Sequence, residues 1–351
     1  MKKEVHKGKL AFYIIVSTLM ITFVFYGYQI CYTANVLVDK EDRMFIIRSG
    51  ATFESVRNEL YDNHFINDAV SFSFLARLSG FDKEVMPGRY MLRHNMTNLQ
   101  ILKVFKSGRQ ELVNVTFSVV RLRKDLVEKI TKNTSLSPAE FDHALDGFVA
   151  SNSEGFNKDN ILCMFIPNTY EVYFNISSED LVSRMNHEYK KFWTEERTAK
   201  AKEVGLTPIE VSILASIVQA ESIKPDEAPV IAGLYLNRLK KNIALQADPT
   251  LVYAIGDFGL KRVLNGHKEI DSPYNTYKHP GLPPGPINVP QIASIDAVLN
   301  YQHHNYYYMC AKEDFSGYHN FASDLDDHNR NARKYQRALD AEIAKAKQNK
   351  K

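Results

Sequence analysis

Cysteine and tryptophan are scarce in this sequence, with three cysteines and one tryptophan among 351 residues. Three cysteines are too few for the disulfide framework of a small secreted domain, which excludes that class of protein. Cys163 and Cys310 could pair in an oxidising compartment. We expect them instead to be two small, buried apolar side chains.

Net charge is also small, at +3, and no stripe of basic residues interleaved with aromatic residues is present. Charge therefore gives no argument for nucleic acid as a partner. Internal repeats and low-complexity segments are missing. With 44% hydrophobic and 24% charged residues, the composition is that of a globular protein with room for about two domains.

The spacings typical of metal sites are missing as well. The C-terminal region contains several histidines, without a His-Glu-x-x-His or a Cys/His spacing: His303, His304, His319 and His328. A metal-dependent peptidase or amidase is therefore not expected. The sequence predicts no metal and no other cofactor.

Charged side chains are absent from one long stretch, Leu10 to Val38. About 20 apolar residues cross the hydrocarbon core of a bilayer, so we predict a transmembrane helix at residues 10–31. Four lysines precede it, at positions 2, 3, 7 and 9. Lysines before a span favour a cytoplasmic N-terminus, here residues 1–9. We therefore expect a single-pass membrane protein whose residues after the span lie on the other side of the bilayer from the cytoplasm.

A cleavable signal peptide is the alternative interpretation of this segment. The apolar stretch is long and has no Ala-x-Ala-like cleavage site, and Tyr28, Gln29 and Ile30 before Cys31 are too bulky for a lipoprotein signal. We therefore favour an uncleaved anchor. Four aromatic residues would form its outer interfacial belt: Phe25, Tyr26, Tyr28 and Tyr32.

Residues 40–110 are predicted to form a small α+β module in the order strand, helix, helix, strand, with a third helix after it. The predicted elements are a strand at Met44–Arg48, a helix capped by Thr52, a helix from Asp68 to Gly80, a turn and strand at Met86–Leu92, and a helix at Asn98–Lys106. Phe53 and Tyr90 could contact a ligand or belong to the core.

The remainder, residues 111–351, is predicted to be a mixed α+β domain. Its first part contains a strand at Leu112–Val120, a helix near Leu126, a helix opened by the capping box of Ser137 and Glu140, and one long helix at Ser178–Lys202.

The region from Thr207 to Gly256 places a carboxylate on an apolar helix face. Thr207 and Glu210 form a capping box, so the helix start is well defined. An apolar stripe follows at Val211, Leu214, Ala215 and Val218, and Glu221 or Ser222 is the next position on it. Apolar surroundings raise a carboxyl pKa, as a general acid near neutral pH requires, although Glu221 could also point to water at the helix end.

Further motifs follow in a distinctive order. They are Glu221-Ser222, Asn237-Arg238-Leu239, LQADPT beginning at Leu245, YNTY beginning at Tyr274, GLPPGPI beginning at Gly281, and a tail from Phe321 to His328. From about Met44 to its end, the chain resembles the YceG-like family of endolytic murein transglycosylases. One position departs from the family pattern, because Pro167-Asn168-Thr169 stands where members usually have Pro-Asp-Thr. A charged role at Asn168 is therefore in doubt.

The resemblance implies a LysM-like module at residues 40–110, followed by a catalytic domain with a lytic-transglycosylase-like helical core. It also implies that Glu221 is the single catalytic acid and base, acting on the bond between MurNAc and GlcNAc and leaving 1,6-anhydro-MurNAc ends. Most glycoside hydrolases need two carboxylates, and Asp226, Glu227 and Asp248 are the nearby candidates for a second one.

Several polar and aromatic residues are candidates for substrate binding. They are Ser222, Asn237, Gln246, Asp248, Tyr253, Tyr274, Asn275 and Tyr277. Each has a structural alternative: Ser222 could simply end a helix, Asn237 and Gln246 could tie loops together, and Asp248 is favoured as a helix N-cap. The tyrosines would offer stacking faces for sugars, beside a rigid wall formed by Gly281–Ile287.

The resemblance and the anchor together imply a single-pass protein of the inner membrane with a periplasmic catalytic domain. That domain is expected to be an endolytic lytic transglycosylase that cleaves within nascent peptidoglycan strands and terminates their elongation. Its expected partners are glycan strands and membrane cell-wall synthases, with no nucleic acid. The alternative is a membrane-anchored glycan-binding scaffold that recruits synthases without catalysis.

Overall fold

The computed structural model describes residues 7–36, 41–260 and 262–348, which form a mixed α+β structure. The contacts divide it into two compact units. The first comprises the described residues up to Val115, with Asn133–Leu136 and Glu171–Ile176; the second comprises Thr116–Lys132, Ser137–Tyr170 and the described residues from Ser177 onward. The predicted boundary between residues 110 and 111 stays a prediction.

The chain opens with α1 (Lys7–Tyr32), a helix of 26 residues whose apolar side chains are exposed along its length. By length and composition it can cross a bilayer. The predicted span, residues 10–31, lies inside this helix.

The first unit contains each element predicted for it: β1 (Arg43–Ile47), α2 (Phe53–Asp62), α3 (Ala69–Ser79), β2 (Gly88–Leu92) and α4 (Asn98–Lys106). Strands β1 and β2 pair in antiparallel fashion, with Phe45 opposite Tyr90. The predicted caps are also present, since Thr52 accepts from Ser55 N and Asp68 accepts from Val70 N.

Aromatic rings fill the core of this unit. Phe105 lies at its centre, with ring centroids of Phe45, Phe81 and Tyr90 between 5.1 and 5.8 Å away. Phe53 stacks on Phe72 nearby. Phe53 and Tyr90 are therefore core residues.

A buried polar network joins the end of α1 to this core. Asn98 donates to the Ile30 carbonyl oxygen at 3.1 Å and to Ser71 Oγ at 2.9 Å. Asn35 donates to Asn98 Oδ1 at 2.7 Å and accepts from Asp68 N at 2.7 Å. Because each amide is buried with several partners, the network fixes the direction in which the chain leaves α1.

The second unit is mainly helical. Strands β3 (Leu112–Phe117) and β4 (Asn168–Tyr173), through which the division between the units passes, form a two-stranded sheet. The helices are α5 (Arg123–Thr131), α6 (Pro138–Ser151), α7 (Ser178–Phe192), α8 (Glu195–Val204), α9 (Pro208–Glu221), α10 (Ala228–Lys240), α11 (Asp248–Ile255), α12 (Ile292–Leu299) and α13 (Leu325–Gln348). A hairpin of β5 (Tyr308–Ala311) and β6 (His319–Ala322) precedes α13.

The predicted single helix at Ser178–Lys202 is wrong, because α7 ends at Phe192 and α8 begins at Glu195. Thr194 lies between them in an extended conformation and accepts from Arg197 N at 3.3 Å. A side-chain cap of this kind starts a new helix, and Glu195 in its first turn favours the same end. Strand β3 also ends three residues before the predicted Val120.

Helix α9 is the centre of the second unit. All eight residues from Val211 to Val218 are buried, since α8, α10, α11 and α12 all contact α9. The predicted apolar stripe is confirmed, but the opposite face is buried too. The helix runs through the core and ends at the carboxylate of Glu221.

Candidate active site

A cleft of about 1000 Å³ lies at the C-terminal end of α9. Glu221 and Ser222 line it together with Asp248 and Tyr253 of α11. Another part of the wall is formed by Ile287, the last residue of the proline-rich segment, and by Asn288, which follows it. The volume is in the range of pockets that hold small organic ligands or short polymer segments.

Glu221 is the last residue of α9, and its position is fixed at both ends of the helix. The predicted capping box of Thr207 and Glu210 sets the start. Ser222 is extended, with φ −136°, and ends the helix. The Tyr235 hydroxyl of α10 donates a hydrogen bond to Glu221 Oε1 at 2.6 Å, and this bond orients the carboxylate.

Burial raises the pKa of the Glu221 carboxyl to about 7. The hydrogen bond from Tyr235 opposes this rise, the charge of Asp248 adds to it, and the charge of Arg238 opposes it. The desolvation predicted from the apolar stripe is therefore present. A carboxyl with a pKa near 7 can release and take up a proton at neutral pH.

Asp248 is the other carboxylate in the cleft wall. Its predicted role as the N-cap of α11 is wrong, because Ala247 occupies that position and Asp248 is the first helical residue. The start is set by a tertiary contact, in which Ala247 N donates to Thr276 Oγ1 at 3.0 Å. The Asp248 carboxylate instead accepts from the Tyr277 hydroxyl at 2.5 Å.

Asp226 and Glu227, the other candidates for a second carboxylate, lie outside the cleft wall. Glu227 is buried and accepts from Ser222 Oγ at 3.2 Å and from His319 N at 2.8 Å. Asp226 is exposed and accepts from the Tyr318 hydroxyl at 3.2 Å. Ser222 therefore lines the cleft, and its hydroxyl is hydrogen-bonded to Glu227, which lies outside the cleft wall.

The three candidate tyrosines occupy different places. Tyr253 lines the cleft, and Tyr274 packs behind it with ring centroids 4.7 Å apart. Tyr277 stands behind Asp248 and holds its carboxylate. Burial raises the pKa of the Tyr274 and Tyr277 hydroxyls, so both remain protonated donors at neutral pH.

The candidate amides hold loops. Asn237 donates to the carbonyl oxygens of His304 and Tyr306 at 2.8 and 3.1 Å. Asn275 is fully buried and donates to two carbonyl oxygens of the segment before it. Gln246 has a φ of 54° and accepts from Arg238 at 3.3 Å. None of these three amides lines the cleft, and their hydrogen bonds support the segments behind its walls.

The proline-rich segment is tied directly to α9. Ser216 Oγ accepts from Ile287 N at 3.0 Å, and the Ser216 carbonyl oxygen accepts from Asn288 at 2.8 Å. Gln219 donates to Asn288 Oδ1 at 3.0 Å. Gly285 approaches the Asp159 carbonyl oxygen so closely that a side chain would overlap it. Of the predicted wall, Gly281–Ile287, the last residue therefore lines the cleft, and Asn288 beside it does so too.

The YceG-like family model matches residues 45–334. The chain belongs to the YceG-like family. This match includes the first unit from β1 onward and every helix of the second unit up to the first turns of α13.

Relatives of this YceG-like chain include proteins named endolytic murein transglycosylase. One from Streptococcus pneumoniae serotype 2 is 24% identical over 345 residues, 88% of this chain and 61% of the relative. One from Bacillus subtilis is 31% identical over 215 residues, 61% of this chain and 54% of the relative. The chain thus spans about three fifths of the streptococcal relative's length.

A solved structure is also similar to the YceG-like chain. The crystal structure of a yceG-like protein from Listeria monocytogenes is 26% identical, covers 83% of this chain and 99% of its own, and superposes with a TM-score of 0.55. Most of the described architecture therefore has a counterpart of known structure.

Sequence reasoning missed the partners of Glu221 in this YceG-like chain. Tyr235, in α10, is in none of the motifs and among none of the candidate residues taken from the sequence. A tyrosine in a buried stripe needs a partner for its hydroxyl, and that signal was present in the sequence. Tyr335, Gln336 and Leu339 of α13 also line the cleft, and no motif in the sequence marks them.

Other singled-out residues lie away from the cleft. The histidines His304 and His319 are engaged by Val230 O and Glu227, and no cluster of three or more metal-ligating side chains occurs in the described ranges. Cys163 and Cys310 are both free thiols; Cys163 is buried as expected, whereas Cys310 in β5 is only partly buried, so the expectation is wrong for Cys310. Asn168 is exposed at the start of β4.

Proposed function

We propose that this chain is an endolytic murein transglycosylase that cleaves MurNAc–GlcNAc bonds inside peptidoglycan strands and leaves 1,6-anhydro-MurNAc ends. The observation that carries the proposal is a carboxyl with a pKa of about 7 in the wall of a cleft of about 1000 Å³. The names of the relatives from Streptococcus pneumoniae and Bacillus subtilis support the same activity.

In the first step, protonated Glu221 donates its proton to the oxygen between MurNAc and GlcNAc. The bond from the MurNAc anomeric carbon to that oxygen breaks, and the GlcNAc side leaves with the proton as a hydroxyl. In the second, the Glu221 carboxylate takes the proton of the MurNAc 6-hydroxyl, whose oxygen bonds to the anomeric carbon. The acid is regenerated and no water is consumed. One group can act as both acid and base because its pKa lies near the working pH.

Tyr235 and Asp248 adjust Glu221 in opposite directions. The Tyr235 hydroxyl stabilises the carboxylate form that exists between the two steps. Asp248 favours the protonated form that begins the reaction. Asp248 is itself occupied by the Tyr277 hydroxyl, so we assign it to tuning Glu221 and binding substrate rather than to nucleophilic attack.

The residues at the cleft fall into two groups, those that contact the glycan and those that hold the cleft walls in place. We propose that Ser222, Asp248 and Tyr253 contact the glycan, with the ring of Tyr253 stacking on a sugar. Asn237, Gln246, Tyr274, Asn275 and Tyr277 hold the walls that position them. The second unit then acts as the lytic-transglycosylase-like core, and the strand, helix, helix, strand order of the first unit supports a LysM-like module.

We further propose that α1 is an uncleaved anchor in the inner membrane, with the N-terminus cytoplasmic and both units periplasmic. A compact domain of about 100 residues has a radius of gyration of about 13 Å, so the cleft reaches only strands near the membrane. Newly made strands, and the synthases that make them, are the expected partners. Intact-mass measurement of the membrane-extracted protein tests the anchor, because cleavage would remove the mass of the N-terminal segment.

The activity is tested by incubating full-length protein in detergent with purified, peptide-free glycan strands and identifying the ends by mass spectrometry. We expect anhydro ends from the wild type and none from Glu221→Gln. Glu203→Gln, an exposed position on α8, is the matched control and should retain full activity.

Each other result has a distinct meaning. Reducing ends would show hydrolysis, and loss of those ends in Asp248→Asn would make Asp248 the second carboxylate. Equal activity in Glu221→Gln would refute the assignment of the acid. No cleavage by any of the proteins would favour the non-catalytic scaffold.

A further inference from the structure

Helix α3 of the first unit is apolar on two faces. Its inner face, including Phe72 and Leu75, packs into the core of the unit. Its outer face carries Val70, Phe74 and Leu78, which are 80%, 58% and 75% exposed. These three residues are spaced by four and form one stripe along the helix, called here the α3 stripe. A helix that is apolar on both faces is ordinarily covered on both.

Positive charge borders the α3 stripe. The stripe lines a hollow of about 780 Å³ together with Arg57 of α2 and Arg77 of α3. The described lining contains no aspartate or glutamate. Apolar side chains next to arginines match the boundary between acyl chains and phospholipid phosphates.

The α3 stripe belongs to the element that receives the end of α1. Helices α3 and α4 both contact α1, and Ile30 and Cys31 pack against the same core as the inner face of α3. Asn98 of α4 holds the Ile30 carbonyl oxygen at 3.1 Å and Ser71 of α3 at 2.9 Å. Where residues 10–31 cross the bilayer, this network places α3 at the level where α1 leaves the hydrocarbon.

We propose that the α3 stripe inserts into the interfacial layer of the bilayer that α1 spans, with Arg57 and Arg77 binding phospholipid phosphates. The inference rests on the proposed anchoring of α1 and adds a second membrane contact to it. The membrane is the occupant because it is continuous with the surface that α1 already contacts. Two contacts fix the orientation of the first unit on the membrane, whereas a single helix leaves it free to rotate.

Tryptophan fluorescence tests this contact in the full-length protein. The chain contains one tryptophan, Trp193 in the second unit, so the unaltered protein gives the background signal. Phe74→Trp adds a reporter on the α3 stripe, and Phe12→Trp adds one inside α1. Each variant is reconstituted in phosphatidylethanolamine–phosphatidylglycerol vesicles with or without bromine on the lipid acyl chains, which quenches tryptophan at contact distance.

We expect bromine near the carbonyl end of the acyl chain to remove much of the added Phe74→Trp emission. Phe12 lies near the start of the predicted span, about 13 Å from its middle, so the same bromine should also quench Phe12→Trp, which serves as the positive control. Leu78→Trp repeats the measurement on the same stripe, so that one poorly folding variant does not decide the outcome.

The two reporters separate failure of this inference from failure of the anchor. Quenching of Phe12→Trp without quenching of Phe74→Trp and Leu78→Trp would overturn the α3 contact and leave the anchor intact. In that case, the emission wavelength of the two stripe reporters shows what covers the stripe. Blue-shifted emission that is lost when the protein is diluted with more lipid would mean that a second copy of the chain covers it. Blue-shifted emission that persists would mean another protein surface, and red-shifted emission would mean water. No quenching at Phe12→Trp would refute the anchor itself.

Discussion

The hydrogen bond between Tyr235 and Glu221 makes a quantitative prediction for the variant Tyr235→Phe. The hydroxyl donates to Glu221 Oε1 at 2.6 Å and favours the ionised carboxylate. Hydrogen bonds to charged groups contribute about 1.5–3 kcal/mol, and one pH unit of pKa corresponds to about 1.4 kcal/mol. Removing the hydroxyl should therefore raise the pKa of Glu221, from about 7, by roughly one to two pH units.

The assay is the pH dependence of anhydro-end release under substrate-limiting conditions. In the proposed reaction Glu221 must be protonated first, so the wild-type rate should fall as the pH rises through about 7. In Tyr235→Phe this fall should move to higher pH by roughly one to two units. The maximal rate should decrease, because the carboxylate formed between the two steps loses its donor.

Tyr170→Phe is the matched control. Tyr170 is a buried tyrosine of the same unit, and it donates to the Ile166 carbonyl oxygen at 2.5 Å. Its substitution should lower stability without moving the pH profile. An unchanged alkaline limb in Tyr235→Phe, with the protein folded, would refute the argument that this hydroxyl sets the pKa of Glu221.

Three further predictions concern stability. Burial raises the pKa of the Glu221 carboxyl from its ordinary 4.5 to about 7, so wild-type stability should be greatest below pH 4.5 and lower by up to about 3 kcal/mol above pH 7. In urea unfolding, Glu221→Gln should therefore match the wild type at acid pH and be more stable at pH 8. A difference that does not depend on pH would contradict this. In thermal unfolding, Gly285→Ala should lower the free energy of unfolding by about 1–3 kcal/mol, because the added Cβ overlaps the Asp159 carbonyl oxygen. Gly147→Ala, in open space on α6, should raise the free energy of unfolding by about 0.5–1 kcal/mol. Equal effects of the two substitutions would contradict the overlap. Arg238→Met should cost at least about 2 kcal/mol in urea unfolding, since the buried guanidinium donates to three carbonyl oxygens, and a neutral result would mean that water replaces it.

The order and ends of most elements could be predicted from the sequence because their causes are local. Thr52, Asp68 and Thr207 cap helices within three residues of themselves, and each cap is present in the structure. The same locality placed Glu221 at the end of an apolar helix with a raised pKa. The prediction of one long helix at Ser178–Lys202 was wrong because it followed the apolar periodicity alone. The Thr194 side chain accepts from Arg197 N, and this side-chain cap starts a new helix.

The partners of the site depended on contacts between distant segments. Tyr235 follows Glu221 by 14 residues, and Tyr277 follows Asp248 by 29. Gln246 and Asn275 were grouped with the substrate contacts by residue type, but the fold uses them to hold loops. A side chain's chemistry states what it can bind, whereas only packing decides which partner is within reach.

The sequence by itself therefore determined the apolar N-terminal helix, the α+β order of the first unit and the carboxylate at the end of α9, since these follow from nearest neighbours along the chain. The tertiary structure decided which hydroxyl meets that carboxylate, that Asp248 shares its cleft while Glu227 does not, and that the outer face of α3 stays uncovered by the rest of its unit. Each of these depends on where separate helices pack, which nearest neighbours along the chain do not set.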